Sequence, residues 1–120
     1  MAAIVIENLT RGTTLVSRGR AADNAWTRLR GLIGSKPLQD GEGMLIVPCQ
    51  SIHTHFMGFP IDALYISPEQ QVVGADQEMK PWRFGRLHRK ARAVLELPAG
   101  AIGRSDTQVG DQLRIVNYRW

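Results

Sequence analysis

The feature that most constrains the fold of this 120-residue chain is a series of short apolar segments separated by turn-forming residues. The segments are AIVIENL, TTLVS, MLIVP, IDALYIS, QVVGADQEM, RAVLELP and QLRIVNY. Runs of this length that are rich in β-branched residues are typical of strands, and glycine, proline and serine mark the turns between them. The pattern predicts a mainly β (α+β) domain, built as a compact antiparallel sandwich or barrel-like sheet.

Residues 22–33 are the one segment with helical periodicity. Its apolar residues recur at i, i+3 and i+7, and these are Trp26, Leu29 and Ile33, with Ala22, Ala25 and Leu32 beside them. The spacing predicts one main helix with that side facing the core. Asp23 or Asn24 is suited to cap the free N–H groups of the first turn, and Gly34 is placed to end the helix.

Length and composition indicate an ordinary soluble protein. A chain of 120 residues is expected to form a single domain, residues 1–120. Its one cysteine, Cys49, excludes an internal disulfide and is typical of a reducing compartment. The N-terminus does not have the form of a signal peptide, and no segment approaches the roughly 20 apolar residues that span a bilayer. We therefore expect a cytoplasmic protein without a membrane partner.

The segment PCQSIHTHFMGFPID, residues 48–62, concentrates the side chains that bind metals and move protons. In an extended strand alternate residues share a face. A strand over residues 49–56 would therefore separate a polar face from an apolar one. The polar face would carry Cys49, Ser51, His53 and His55. The simplest interpretation is a half-buried strand whose polar face contacts other polar groups.

Two chemical interpretations of this segment stay open beside the simple one. His53 and His55 on one side of a strand, with Asp62 from a neighbouring strand, would supply ligands for zinc. Alternatively, Cys49 is a nucleophile with a histidine as its base. An extended chain separates Cys49 from His53 by roughly 13 Å, so this second interpretation requires a bend. A lone cysteine is more often a small buried apolar residue.

Asp62 alternates with Leu64 and Ile66 on the side of its segment that is expected to face the core. A carboxylate on an apolar face needs hydrogen-bond partners. We expect it to tie down backbone N–H groups or a neighbour such as Thr54 or His53. The alternative role is that of a carboxylate in a binding site.

Residues 80–92, called the basic loop here, contain six lysine and arginine residues and no acid. The cations are Lys80, Arg83, Arg86, Arg89, Lys90 and Arg92. Such a field attracts anions, and the interleaved Trp82 and Phe84 would suit stacking on single-stranded nucleic acid. The simpler expectation is a solvated loop with its aromatic side chains folded inward. Nucleic-acid binding is then weak and non-specific at most.

Glu96 lies between Leu95 and Leu97, so it points away from their face of the strand. It is expected to pair with an arginine or to join Asp62 in a polar pocket. Two carboxyl groups in one pocket would be the arrangement of a glycosidase, provided that their separation is suitable.

Five motifs follow one another along the chain: RLRGLIG with a following PL, GMLIVP, SIHTHFMGFPIDALYI, VLELPAG, and VGD before the last strand. In this order they resemble the bacterial and archaeal family called domain of unknown function 192. The resemblance covers almost the whole chain and implies a mostly β, jelly-roll-like fold. It implies no established reaction and no catalytic residues. Many members carry a phenylalanine-tryptophan-methionine stretch where this chain has Phe56-Met57, and many have a signal peptide or lipid anchor.

Together these features favour a small β-rich domain that binds a small anionic ligand or a protein partner. The expected surface is the polar face around His53, His55 and Asp62, beside the basic loop 80–92. Further candidate ligand contacts are Arg83, Arg86 and Arg89. The alternative is a metal-assisted or general acid–base hydrolase that uses the same residues, with zinc as the candidate metal.

Overall fold

The computed structural model describes residues 2–54 and 57–120, apart from the side chains of Leu29 and Arg30. Over these residues it contains seven strands and two short helices. The strands are β1 (Ile4–Asn8), β2 (Thr13–Ala22), β3 (Glu42–Ile46), β4 (Ile61–Ile66), β5 (Val72–Met79), β6 (Ala93–Pro98) and β7 (Leu113–Val116). The helices are α1 (Ala25–Arg30) and α2 (Ala101–Arg104). No helix among the described residues is long and apolar enough to cross a membrane.

The seven strands form one mixed sheet in the order β5-β4-β6-β3-β2-β1-β7. Neighbouring strands are antiparallel except β2 and β3, whose parallel pairing requires the crossover connection that contains α1. The two edges meet at one end, where Gln71 bridges to Gln112 and the Leu113 N–H donates to the Gln70 carbonyl at 2.8 Å. The sheet therefore curls into a half-barrel, which confirms the predicted mainly β, barrel-like fold.

The main helix lies within the predicted range 22–33 but is shorter than that range. Asn24 caps it as expected, because its Oδ1 accepts the Thr27 N–H at 2.9 Å. Strand β2 continues to Ala22, which pairs with Ile46 of β3. The start of the predicted helical segment is thus held in the sheet by its neighbouring strand.

The helix also ends earlier than predicted, and Trp26 departs from the predicted core-facing side. Gly31, whose φ is +50°, forms the C-cap, so Gly34 does not end the helix. Trp26 is 69% exposed, so the prediction that it faces the core is wrong. The side chain of Leu29 lies outside the described residues, and the residue that reaches the core is the fully buried Leu32.

Apolar side chains are buried on both faces of the sheet. All seven strands contribute to the cluster on one face, called the inner face here, with Ile6, Leu15, Leu45, Leu64, Val72, Leu95 and Leu113 among its members. The other, outer face carries a second cluster that includes Met44, Ile61, Ala63, Tyr65 and Val94. Segments outside the sheet cover this outer face through Leu32, Ile52, Met57 and Ala91. The space between the outer face and these segments holds the candidate site.

Candidate functional site

The described part of the segment 49–56 does not form a regular strand. Its pairing is a single bridge between His53 and Phe84, so the prediction of a strand here is wrong. The segment nevertheless runs antiparallel to the basic loop, since backbone N–H groups on each side donate across the gap. These hydrogen bonds join His88 to Gln50 (2.9 Å), Gly85 to Ile52 (2.8 Å) and Thr54 to Arg83 (2.8 Å).

The predicted alternation of faces is confirmed over residues 51–54. Ser51 and His53 are exposed, whereas Ile52 and Thr54 are buried. Thr54 anchors the basic loop, because its hydroxyl donates to the Lys80 carbonyl at 2.6 Å. The other histidine of the predicted polar face, His55, lies outside the described residues.

Asp62 is fully buried on the inner face of β4 and accepts three backbone hydrogen bonds. Its Oδ1 accepts the Glu78 N–H at 2.7 Å. Its Oδ2 accepts the N–H groups of Gly100 at 3.1 Å and Ile102 at 2.9 Å. This geometry confirms that Asp62 ties down backbone N–H groups, and it connects β4 to the end of β5 and to the start of α2.

The structure does not bring Asp62 to the cavity that His53 lines, because Asp62 faces inward and that cavity lies on the outer face. Among the described residues, no three histidine, cysteine, aspartate or glutamate side chains are placed to hold a metal ion. The third proposed ligand, His55, lies outside those residues. The two described residues of the predicted zinc site, His53 and Asp62, therefore do not come together.

A small cavity of about 80 Å³ lies between the outer face and its covering segments. Its polar lining comes from Arg28, Cys49, Ser51, His53 and Glu96. Its apolar lining comes from Leu32, Ile33, Ile46, Ile52 and Met57. The bent course of the chain thus brings Cys49 and His53 to one cavity, although a straight strand would hold them far apart.

Glu96 is the most unusual residue of this cavity. It lies on β6 opposite Met44 and Ala63 of the neighbouring strands, and only 1% of its surface is exposed. Its Oε2 atom is buried and has no hydrogen-bond partner among the described residues. Burial raises the pKa of Glu96 to about 8, because the charged form loses its hydration. At neutral pH the side chain is therefore mainly a neutral acid that can both donate and accept.

The Cys49 thiol is half-buried and donates to the Ser51 carbonyl at 3.0 Å. Burial raises the pKa of this thiol above its ordinary value. A nucleophilic cysteine needs the opposite shift, since the thiolate is the reactive form. The thiol therefore contributes a weakly polar wall to the cavity.

The basic loop exposes its aromatic side chains, which corrects the expectation that they fold inward. Exposure reaches 55% at Trp82, 80% at Phe84 and 58% at Leu87. The side chains of Arg83, Arg86 and Arg89 are also exposed. The loop is anchored elsewhere, by its backbone hydrogen bonds and by the His88 ring, whose centroid lies 3.8 Å from that of Tyr65.

Sequence reasoning placed Glu96 on the face opposite Leu95 and Leu97, and this is confirmed, because those leucines belong to the inner cluster. It did not identify Glu96 as part of the lining of a cavity on the outer face. The only available signal was an acid inside an apolar strand, a pattern equally typical of a strand with one solvated face.

Comparison with known proteins places the chain among uncharacterised relatives. Residues 7–115 match the model of the family DUF192, described as Uncharacterized ACR. A UPF0127 protein of Pyrococcus furiosus is 32% identical over 111 residues, which cover 88% of this chain and 93% of the relative. A UPF0127 protein of Thermococcus sibiricus is 30% identical over 111 residues, which cover 88% of this chain and 71% of the relative.

The fold is shared with a solved structure at lower identity. A crystal structure of a protein of unknown function from Novosphingobium aromaticivorans has a TM-score of 0.80 and 20% identity, covering 92% of this chain and 82% of that one. This likeness shows the fold alone. Since the family match extends over residues 7–115 and nearly all of the P. furiosus relative is covered, the chain belongs to the DUF192 family.

Proposed function

We propose that the protein binds a small carboxylate-bearing ligand, or the carboxylate end of a larger one, in the outer-face cavity. The buried Oε2 atom of Glu96, which has no partner among the described residues, carries this proposal. A buried polar atom left without a hydrogen bond costs about 1–3 kcal/mol. A ligand oxygen that reached this carboxyl group from the cavity, which Glu96 lines, would supply the missing partner.

The size and chemistry of the cavity indicate which group it accepts. A volume of about 80 Å³ has room for two or three water-sized groups, since a water molecule occupies roughly 30 Å³ of liquid. A neutral Glu96 would donate its proton to a carboxylate oxygen in a charge-assisted hydrogen bond. Arg28, which lines the same cavity, would add a positive charge.

The basic loop supports the choice of an anion. It runs beside the segment that carries His53, and its cations favour the arrival of negatively charged ligands at the mouth of the cavity. Arg83, Arg86 and Arg89 contribute to this field without entering the cavity lining. The candidate set His53, His55 and Asp62 is thereby revised, with Glu96 in the central position and Asp62 in a structural one.

The proposal is tested by titrating the protein with acetate and following backbone amide signals by NMR. We expect shifts at the cavity-lining residues Gly31, Cys49 and Ile52, and we expect these shifts to disappear as Glu96 ionises above about pH 8. Glu96→Leu, which removes the donor without adding a charge, should abolish them. Arg28→Gln should weaken binding, whereas Arg18→Gln, an exposed arginine outside the cavity, should not. Shifts that survive Glu96→Leu would place the ligand elsewhere.

The raised pKa of Glu96 also favours a second candidate function, that of a general acid–base hydrolase. A carboxyl group that keeps its proton near neutral pH is suited to protonate a leaving group, and His53 lines the same cavity. Hydrolysis of a small ester such as 4-nitrophenyl acetate distinguishes the two functions. Activity that is lost in Glu96→Gln, while acetate binding is kept, would favour the hydrolase.

We also propose a cytoplasmic location and a single functional domain over residues 1–120. The single cysteine, Cys49, has no second cysteine in this sequence with which to form a disulfide, which supports a reducing compartment. The pairing of Val5 with Val116 supports one domain, since the strands nearest the two ends of the chain are neighbours in the sheet.

A further inference from the structure

The basic loop presents exposed rings and exposed cations on one continuous segment. Trp82 and Phe84 are 55% and 80% exposed, and Arg83 lies between them in sequence. Four of the six cations in residues 80–92 are arginines. We propose that this loop, together with the adjoining residues 50–54, binds single-stranded nucleic acid without sequence preference, at a surface separate from the cavity.

The composition matches the two demands of a single strand. Phosphates require cations, and arginine is preferred over lysine because its planar guanidinium makes paired hydrogen bonds to phosphate and stacks on bases. Unpaired bases stack on flat apolar surfaces. Exposed aromatic rings supply such surfaces, and any of the bases can stack on them. The exposed positions Arg83, Arg86 and Arg89 recur every three residues, and Trp82 and Phe84 flank the first of them.

Hydrogen bonds and a ring contact to the rest of the protein hold the basic loop in one conformation. The Trp82 N–H donates to the Thr54 carbonyl at 3.1 Å, and the Arg83 N–H donates to the Thr54 hydroxyl at 2.8 Å. At the other end, the His88 ring stacks on Tyr65, and Gln50 Nε2 donates to the Arg89 carbonyl at 2.8 Å. A surface fixed in this way loses less conformational entropy on binding than a free basic tail does.

The arrangement favours nucleic acid over a membrane surface. The exposed apolar side chains are separated by cations along the chain, as in Trp82-Arg83-Phe84 and Arg86-Leu87-His88-Arg89. Insertion into a bilayer would require the apolar side chains to enter without the charges between them. A single strand offers bases and phosphates in alternation, so interleaved rings and cations both find partners.

The test uses the fluorescence anisotropy of a labelled oligothymidylate and of a labelled abasic oligonucleotide of the same length, and co-sedimentation of the protein with phosphatidylserine vesicles. We expect the oligothymidylate to bind at least about tenfold more tightly than the abasic strand, because each stacked base contributes to affinity. Trp82→Ala with Phe84→Ala should remove this preference. Trp26→Ala is the matched control, because Trp26 is 69% exposed outside the loop.

The electrostatic contribution to nucleic-acid binding is tested with a separate variant and a separate control. Replacing Arg83, Arg86 and Arg89 with glutamine should make the fall of log affinity with log salt less steep, by about 2 in the slope, since each phosphate contact on a single strand contributes about 0.7 to its magnitude. Replacing Arg18, Lys36 and Arg119, which are exposed elsewhere, removes the same charge and should leave the slope nearly unchanged. The single variant Phe84→Ala serves if the multiple variants fail to fold.

Two results would overturn the proposal. Equal affinity for the abasic strand and the oligothymidylate would show attraction of polyanions without stacking. Binding to the vesicles alone, lost in the Trp82 and Phe84 variant, would assign the surface to a membrane instead. Neither result bears on acetate binding in the cavity, which is measured separately through Glu96.

Discussion

Asp62 and Glu96 lie on neighbouring strands of one sheet, but their carboxyl groups face opposite sides of it. Asp62 pairs with Leu97, and Glu96 pairs with Ala63, so the pleat directs one carboxyl inward and the other outward. The inward carboxylate accepts three backbone N–H groups, whereas the outward one has a buried oxygen without a partner among the described residues. The two acids therefore cannot act as a glycosidase pair.

Asp62 is expected to be a major source of stability. In Asp62→Ala the N–H groups of Glu78, Gly100 and Ile102 lose their acceptor, and we expect the free energy of unfolding to fall by about 3 kcal/mol or more. Urea denaturation measures the change. Asp40→Ala is the control, because Asp40 forms an exposed ion pair with Arg104 and should cost less than about 1 kcal/mol. Equal losses in the two variants would contradict the structural role.

Glu96 should make the protein less stable as the pH rises. Its pKa is raised to about 8 in the folded protein from an ordinary value of 4.5. Between these values the folded protein keeps a proton that the unfolded chain has released, so the free energy of unfolding falls with increasing pH. The fall can reach about 1.4 kcal/mol per pH unit, and the stabilising contribution is lost once the pH exceeds about 8.

The measurement for Glu96 is a series of urea denaturations from about pH 4.5 to about pH 9, with Glu96→Gln as the variant that cannot titrate. The variant should lose the downward slope and should exceed the native protein in stability at the alkaline end. Glu69→Gln, at an exposed position, should keep the native slope. A Glu96→Gln variant with the native pH dependence would show that Glu96 is ionised in the fold.

Cys49 should react slowly with thiol reagents. Burial raises the pKa of its thiol, so only a small fraction is thiolate at neutral pH. We expect iodoacetamide to alkylate it more slowly than free cysteine, at a rate that still increases above pH 9.0. His53→Ala should leave this pH profile unchanged. A midpoint near neutral pH that moves in the His53 variant would restore the nucleophilic interpretation.

Gly74 should be intolerant of a side chain. A Cβ atom at this position would overlap the His88 ring, with Nδ1 only 2.5 Å away, and that ring is stacked on Tyr65. We expect Gly74→Ala to lower the free energy of unfolding by about 1–3 kcal/mol, and to displace the basic loop with its histidine. Thermal denaturation and the His88 ring signals in NMR spectra report the two effects. Gly103→Ala, where no described atom outside the helix backbone and the adjacent residues lies within 4 Å of the added carbon, should show neither.

Local patterns in the sequence predicted the seven strands of the sheet and two structural side-chain contacts, although they also predicted a strand over residues 49–56 that the described residues do not form. The alternation of Asp62 with Leu64 and Ile66 correctly predicted that the carboxylate faces the core and binds backbone N–H groups. Asn24, one of the two residues predicted as candidates for the helix N-cap, is the one that caps the helix. These features depend on the pleat of a strand or on the first turn of a helix, and both are determined by residues a few positions apart.

The chemistry of the candidate site depended on segments that are distant in sequence. Glu96 has its raised pKa because the residues around Leu32, Cys49 and Met57 cover the outer face of β6, and nothing adjacent to Glu96 in sequence indicates that cover. The loop that exposes Trp82 is likewise positioned by hydrogen bonds to residues 50–54, which are distant from it in sequence. The sequence by itself determined which side of each strand a residue occupies, because side-chain direction is a local property of the backbone. Only the tertiary structure decided which face of each strand became buried, because burial depends on contacts between parts of the chain that are distant in sequence.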